Sequence, residues 1–545
     1  MLVLRRSPLA LLLWAILAVG CQDVPAQDSG GALSAEQAAY DVTFYDLAVA
    51  VHPDQRRIEG TLSVTATVTD SLSALVLDLD HRLDVSRVWS SANPSRTLPF
   101  ERRAGRNELW ISLPETNVPG DTVRLTVAYG GTPREAPNPP WEGGVTWATT
   151  PNGAPWIATS CQTEGADLWW PVKDHPSDEP DSMDVAITVP DTLVAASNGH
   201  LNRVEKASDS TETYHWDIST PINTYAVTLN VAPYARLDTT YRSAAGEEVP
   251  VSVYALPPDT ARAQTHLPGL LDQVQFLEDA LGPYPFRVDK YGVAQTPFLG
   301  MEHQTLIAYG HDFETGGLGY DAGFDALHFH ELAHEWYGNC LTVRDWKDFW
   351  LHEGTATYLE ALYAESSGGE DAYHEVIRHH RRQITNQSPI VRREPTGAEA
   401  AYSRDVYVKG ALVLHTLRYV VGEDRLKTLL RRFVSPDPGK EPNCRHVDTE
   451  EFLRRAEAVA GRSLDAFGET YLYQAALPKL ETARTGRTLS LHWARADTAF
   501  AVPVPVSVQG KRRVVDMSGG QGELTLPSDT ASVRIDPENW LLRAR

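Results

Sequence analysis

The sequence predicts a multidomain α+β protein, with an antiparallel β domain followed by a mainly helical domain and then a small β domain. Three observations carry that reading. At 545 residues the chain is too long for one hydrophobic core and implies about three domains. Residues 40–255 alternate apolar and polar with a period of two, and from about residue 260 to 475 the apolar spacing changes to three and four before strands resume. An apolar content of 42% with fourteen tryptophans marks a chain that folds. A formal net charge of −23 disfavours both nucleic acid and an anionic membrane surface as partner, because both are polyanions that need compensating Lys and Arg.

Taken in order, residues 1–20 read as an export signal. Arg5 and Arg6 precede the apolar run PLALLLWAILAVG, which is short for a membrane span and suited to a signal h-region. Residues 21–38 are polar and small and read as a linker. The stretch AVGC resembles a bacterial lipobox, although Ala18 stands where leucine is usual. The resemblance implies a lipid on Cys21 and an exported protein attached to a membrane of the bacterial cell envelope. The remaining cysteines, Cys161, Cys340 and Cys444, have no C-x-x-C spacing. They imply neither a disulfide framework nor a thiolate metal site and allow at most one bridge.

The first β domain is expected over 39–255. EGTLSVTATVTD puts Leu62, Val64, Ala66 and Val68 on one face and Ser63, Thr65, Thr67 and Thr69 on the other. Further alternations such as ELWISL, TVRLTVAY, SMDVAITV and TYAVTLNV are separated by Pro, Gly, Asn and Asp turns. The helical domain is expected over 256–476. It opens with Leu267, Leu270, Leu271, Val274 and Leu277 at helical spacing before Gly282 and Pro283, and continues through DFWLHEGTATYLEALYAESSGG, VYVKGALVLHTLRYVVG and TEEFLRRAEAVAG. Strand patterns such as TLSLHW, VPVPVSV and ELTLP place a small, sandwich-like β domain over 477–545. No internal repeat is visible.

The segment HFHELAHEWYGN, residues 328–339, concentrates histidine and glutamate. His330 and His334 are four apart, so on a helix they share a face and can converge on one tetrahedral metal. Glu331 is offset around that helix, which suits a base near the metal's water rather than a ligand. Glu353, on the next helical segment, is the candidate third ligand, and a catalytic zinc site keeps its fourth position for water, with the water's pKa drawn toward about 7. His328 is read as a solvent-facing or outlying residue, and RHHRRQ at 378–383 as a solvated helix face. An H-E-x-x-H string alone is common enough by chance that its company decides.

That company resembles one family. HELAHEWYGN followed by WLHEGTATYLE is similar to the gluzincin metallopeptidases of the aminopeptidase N family. FLGMEHQ at 298–304 is similar to the family's G-x-M-E-N exopeptidase signature, VYVKGALVLHTL to the segment carrying its catalytic tyrosine, and SCQTEGADLWWPVKDHPSDEP at 160–180 to the end of its N-terminal β domain. The resemblance implies a thermolysin-like catalytic domain, one zinc per chain, Glu331 as base and Tyr407 as the donor to the tetrahedral intermediate. It also implies a substrate site of Gln162, Gly300, Met301 and Glu302, with the Glu302 carboxylate holding the free α-amine of a peptide. Leu299, His303 and His352 depart from the family pattern, which leaves the shape of the amine pocket open. The short stretch after Pro478 leaves no room for the large helical C-terminal domain of many relatives, so a more open site is expected. The expected function is hydrolysis of the N-terminal residue from peptides. A leukotriene hydrolase-like epoxide hydrolase and a catalytically silent binding relative are the alternatives.

Overall fold

The computed structural model describes residues 28–544 except 104–105, 163 and 437–440. The export signal and Cys21 lie outside the described residues. The first domain is built on an eight-stranded sheet. Its strands are, in spatial order, His200–Ser208, Thr211–Ile218, Ser182–Pro190, Tyr40–His52, Arg57–Val68, Thr122–Gly131, Leu83–Ser90 and Asn93–Thr97. All pairs are antiparallel except Tyr40–His52 with Ser182–Pro190. The predicted apolar face of Arg57–Val68 is the buried one: Leu62, Val64, Ala66 and Val68 are each at most 1% exposed, as period-two patterning over one core requires.

Residues 28–31, expected to belong to a linker, instead pack on the helical domain. The Ser29 carbonyl accepts from the Ala398 amide at 2.9 Å, and Gly30 lies so close to the Trp346 ring that a Cβ there would come within 2.4 Å of it. A second difference concerns the boundary placed at 255/256. Strands Ala235–Arg242 and Glu248–Ala255 join Tyr291–Gln295, Ile307–Tyr309 and Gly300–Met301 in one five-stranded sheet, so that sheet straddles the boundary. Alternation identifies a strand but not the sheet it joins, which hydrogen bonds to distant residues decide.

The helical domain packs against this sheet. Helix Thr260–Leu281 ends at Gly282, whose φ of 117° lets the chain turn away. The helical run Trp350–Arg381 breaks at Gly369, φ 78°, and crosses helix Arg404–Val421. At the crossing Gly354 and Gly410 meet, and a Cβ on either would lie 2.8 Å from the other's Cα. Glycine in a helix interior costs about 1 kcal/mol relative to alanine. Here it lets two backbones approach, and Gly354 directly follows Glu353 while Gly410 lies one turn after Tyr407.

Strands resume at Lys479 as two three-stranded sheets, Lys479–Thr485, Thr488–Ala494 and Gln521–Thr525, and Lys511–Val515, Val504–Val508 and Val533–Ile535. The C-terminal segment docks on the helical domain through Trp540, stacked on His415 at 4.8 Å, and through Arg381, which donates to the carbonyls of Leu541 and Asn539 at 2.9 and 2.7 Å. Among the described residues one disulfide forms, Cys340–Cys444, across 104 residues, and Cys161 is free and buried.

Candidate active site

Helix Ala326–Ala333 carries the histidines. Its start is fixed by Asp325, whose carboxylate accepts from the His328 amide at 3.0 Å, the Tyr309 hydroxyl at 2.5 Å and His266 Nε2 at 2.9 Å. His330 and His334 project to one side. His330 Nε2 and His334 Nε2 are 3.2 Å apart, and each is 3.3 Å from Glu353 Oε2. A tetrahedral zinc with bonds of about 2.0–2.1 Å requires ligand atoms about 3.3 Å apart. The three atoms therefore already stand at the corners of a zinc tetrahedron. Glu353 Oε2 is buried and, among the described residues, has no hydrogen-bond partner, which is costly for a carboxylate unless a cation completes it. The donor set of two imidazoles and one carboxylate, lining a cleft, is that of a catalytic zinc.

The ligand tautomers are set from behind. His330 Nδ1 is 2.9 Å from Glu360 Oε1, and His334 Nδ1 is 2.9 Å from the Tyr337 carbonyl, so both rings carry their proton on Nδ1 and leave Nε2 free for metal. Gly338, φ 153°, is the turn that brings the Tyr337 carbonyl back, and a Cβ there would press on His334 Nδ1 at 3.1 Å. Glu360 also accepts from the Tyr320 hydroxyl at 2.5 Å and lies 3.5 Å from His380 Nε2. Substituting His330, His334 or Glu353 by alanine is expected to abolish stoichiometric zinc binding, and Glu360→Gln to weaken it by about ten- to a hundredfold. Metal analysis of the purified variants measures both, and a full equivalent retained by a ligand variant would contradict the assignment.

Glu331 faces the same cleft and is 6% exposed. Its carboxylate rests over Gly300, where a Cβ would come within 2.4 Å of Oε1 and push the carboxylate aside. Met301 follows on the short strand at the sheet's edge. Glu302 is buried beyond it. The Gln162 amide donates to Glu302 Oε1 and, at 2.9 Å, to Glu353 Oε1, while the Tyr225 hydroxyl donates to Glu302 Oε1 at 3.0 Å. Burial pushes the Glu302 carboxyl up, and pushes the Tyr225 phenol well up with the adjacent Glu302 adding to it, so Tyr225 remains a donor. Tyr407 lies in the first turn of helix Arg404–Val421, its ring stacked on His330 at 6.0 Å. Burial, then the Glu353 charge, holds its hydroxyl well above the ordinary phenol range, so it too stays protonated. Apart from Tyr225, which stands behind Glu302, these groups line one cleft of about 620 Å³.

The sequence residues assigned to this site, Gln162, Gly300, Met301, Glu302, His330, Glu331, His334, Glu353 and Tyr407, all line this cleft. Two neighbouring expectations fail. His328 faces neither solvent nor the metal ligands; it is fully buried against Tyr291 and Gln273, because two residues before His330 it points to the opposite side of the helix. Burial lowers its pKa to about 4, which keeps it a neutral core group. RHHRRQ is not simply a solvated face: Arg378 and Arg382 point out, but His380 is buried toward Glu360, and His379, His380 and Gln383 line the cleft. The departures His303 and His352 are buried and held neutral, each lowered by burial to about 3. Tyr225, Tyr320, Glu360, Tyr402 and Arg404 were not anticipated. Only Glu360 gave a signal, two turns after Glu353 on the same helix face.

Comparisons with known proteins agree with this geometry. The Peptidase M1 N-terminal domain profile matches residues 42–226 and the Peptidase family M1 domain profile residues 275–471. Human endoplasmic reticulum aminopeptidase 1 is 25% identical over 413 residues, 70% of this chain and 42% of that protein. Leucine aminopeptidase 2 of Yarrowia lipolytica is 26% identical over 427 residues, 73% of this chain and 60% of that protein. The chain thus spans less than two thirds of the length of these curated relatives. An M1 zinc metallopeptidase from Deinococcus radiodurans, solved as a mutant bound to a Tyr-Ser-Ala substrate, is 27% identical with a TM-score of 0.65, covering 81% of this chain and 95% of that one. Two family profiles that together account for most of residues 42–471, over a preformed two-histidine, one-glutamate zinc site, establish that the chain belongs to the M1 family of zinc peptidases.

Proposed function

We propose that the protein is a zinc aminopeptidase that removes the N-terminal residue from peptides. The observation that carries the proposal is the Glu302 carboxylate. It sits in the cleft of the zinc ligands, next to an edge strand, with Gln162 and Tyr225 holding it. A buried carboxylate held by two neutral donors is suited to a cation, and the α-ammonium of a peptide supplies one through a charge-assisted hydrogen bond. The Gly300–Met301 edge can pair with the backbone of an extended substrate.

Zinc, when bound, acidifies the attacking water and polarises the scissile carbonyl. Glu331 takes the proton from that water and returns it to the leaving amine. The Tyr407 hydroxyl donates to the carbonyl oxygen as negative charge develops there. Glu302, with Gln162, sets how far the substrate enters, so that only the first peptide bond reaches Glu331. The peptide- and amino-acid-bound M1 structures, including one with L-tryptophan, support peptides rather than lipid epoxides as substrates.

We further propose export to a bacterial cell envelope with lipid attachment through Cys21. The sequence of residues 1–21 motivates this, and the Cys340–Cys444 bridge supports it, since such bonds persist in oxidising compartments. Replacing Cys21 by serine should release the protein from membranes; unchanged membrane fractionation would argue against the anchor.

The activity is tested with an aminoacyl reporter amide and its N-acetylated form. Acetylation removes the ammonium and puts bulk against a buried carboxylate, so the free form should be cleaved faster by at least about 10²-fold. Equal rates would remove Glu302 from amine recognition, and no cleavage of either form would remove the aminopeptidase reading.

A further inference from the structure

The cleft also holds one cationic side chain. Arg404 is the sole Lys or Arg among its described lining residues. It is solvent-exposed at the start of helix Arg404–Val421, and among the described residues it has no ion-pair partner. The other ionisable lining residues are Glu302, Glu331, Glu353, Glu360, four histidines, Tyr402 and Tyr407, yet none of these carboxylates pairs with it. The backbone that carries it is anchored: the adjacent Asp405 accepts from the Thr385 amide and hydroxyl at 2.8 and 2.9 Å and from the Asn386 amide at 2.6 Å. That ties the start of the helix to the segment just after Gln383, which also lines the cleft. Glu302 lines the same cleft and is held by Gln162, which also donates to the ligand Glu353, and by Tyr225.

A cleft that holds a carboxylate suited to an α-ammonium and a single guanidinium matches the charges of a short zwitterionic peptide, whose carboxylate lies on the leaving side once its amine is at Glu302. We propose that Arg404 forms a carboxylate-binding subsite for the leaving side of the substrate, and that the protein prefers short peptides presenting a carboxylate there. The inference rests on the aminopeptidase reading above. Guanidinium and carboxylate can pair through two parallel hydrogen bonds. Because the group is exposed, the gain is modest and screened by salt.

The test uses di-, tri- and tetrapeptides, each as the free acid and as the C-terminal amide, together with tripeptide amides carrying Asp or Asn at the second or third position. In the unaltered protein the acid-to-amide ratio of kcat/KM should be about five to ten for at least one length, and should shrink at about 1 M salt, where the Debye length is about 3 Å. Arg404→Ala should bring the ratio near one, and Arg404→Lys should restore part of it. A ratio that appears only for Asp over Asn, and is lost in Arg404→Ala, identifies a side-chain carboxylate as the ligand rather than the C-terminus. A ratio near one in the unaltered protein for every pair, or a ratio that Arg404→Ala leaves intact, overturns the proposal; a variant that is merely misfolded lowers both members and leaves the ratio. Calorimetric binding of the acid and amide peptides to Glu331→Gln protein, with and without Arg404→Ala, reads the same discrimination without turnover. It still decides the subsite should the reporter amides not be cleaved, an outcome that would count against the aminopeptidase reading alone.

Discussion

Glu331→Gln protein is expected to bind a full equivalent of zinc and to lose activity by about 10²-fold or more. The zinc corners are His330 Nε2, His334 Nε2 and Glu353 Oε2, and Glu331 contributes none of them. Its carboxylate lies over Gly300, where the isosteric amide also fits, so the substitution changes basicity and little else. An amide cannot accept the water's proton, and the loss should therefore appear in kcat. Metal analysis alongside a reporter assay separates the two effects: zinc loss would make Glu331 structural, and a near-normal rate with zinc retained would take it out of the reaction.

Tyr407→Phe is expected to lower kcat by about 10²-fold with little change in KM. The ring is retained, so its stacking on His330 at 6.0 Å and the packing of helix Arg404–Val421 against the Glu353 helix persist. Only the hydroxyl is lost. Burial and the neighbouring Glu353 charge hold that hydroxyl in its protonated form, which is what a donor to a developing oxyanion needs. Its contribution is larger in the transition state than in the bound substrate, because the carbonyl oxygen acquires charge only there. A loss confined to KM would mean that Tyr407 binds substrate and does not stabilise the intermediate.

The parts of this molecule that could be read from sequence were those with short-range periodicity. Alternation fixed the buried face of Arg57–Val68, and the four-residue spacing of His330 and His334 put both on one helix face. The pairing of Glu248–Ala255 with Tyr291–Gln295 has no such signature, which is why the sheet crosses the boundary placed at 255/256. Tyr225 reaches Glu302 across 77 residues, and no local pattern announces it. The charge of RHHRRQ suggested solvation because composition averages over a helix's two faces, whereas the inward residue, His380, lies opposite the exposed Arg378 and Arg382. Glu360 was within reach of sequence reasoning, being seven residues after Glu353 and so two turns along the same face.

The central claim is that Glu302 makes this zinc peptidase an exopeptidase by fixing how far a peptide chain enters the cleft. Mass spectrometry of a decapeptide digest over time tests it most directly. The account predicts a ladder of products shortened one residue at a time from the N-terminus, almost no cleavage of the N-acetylated decapeptide, and a smaller difference between the two forms in Glu302→Ala protein. Internal fragments from the unaltered protein, or equal cleavage of the acetylated peptide, would contradict it and make the enzyme an endopeptidase.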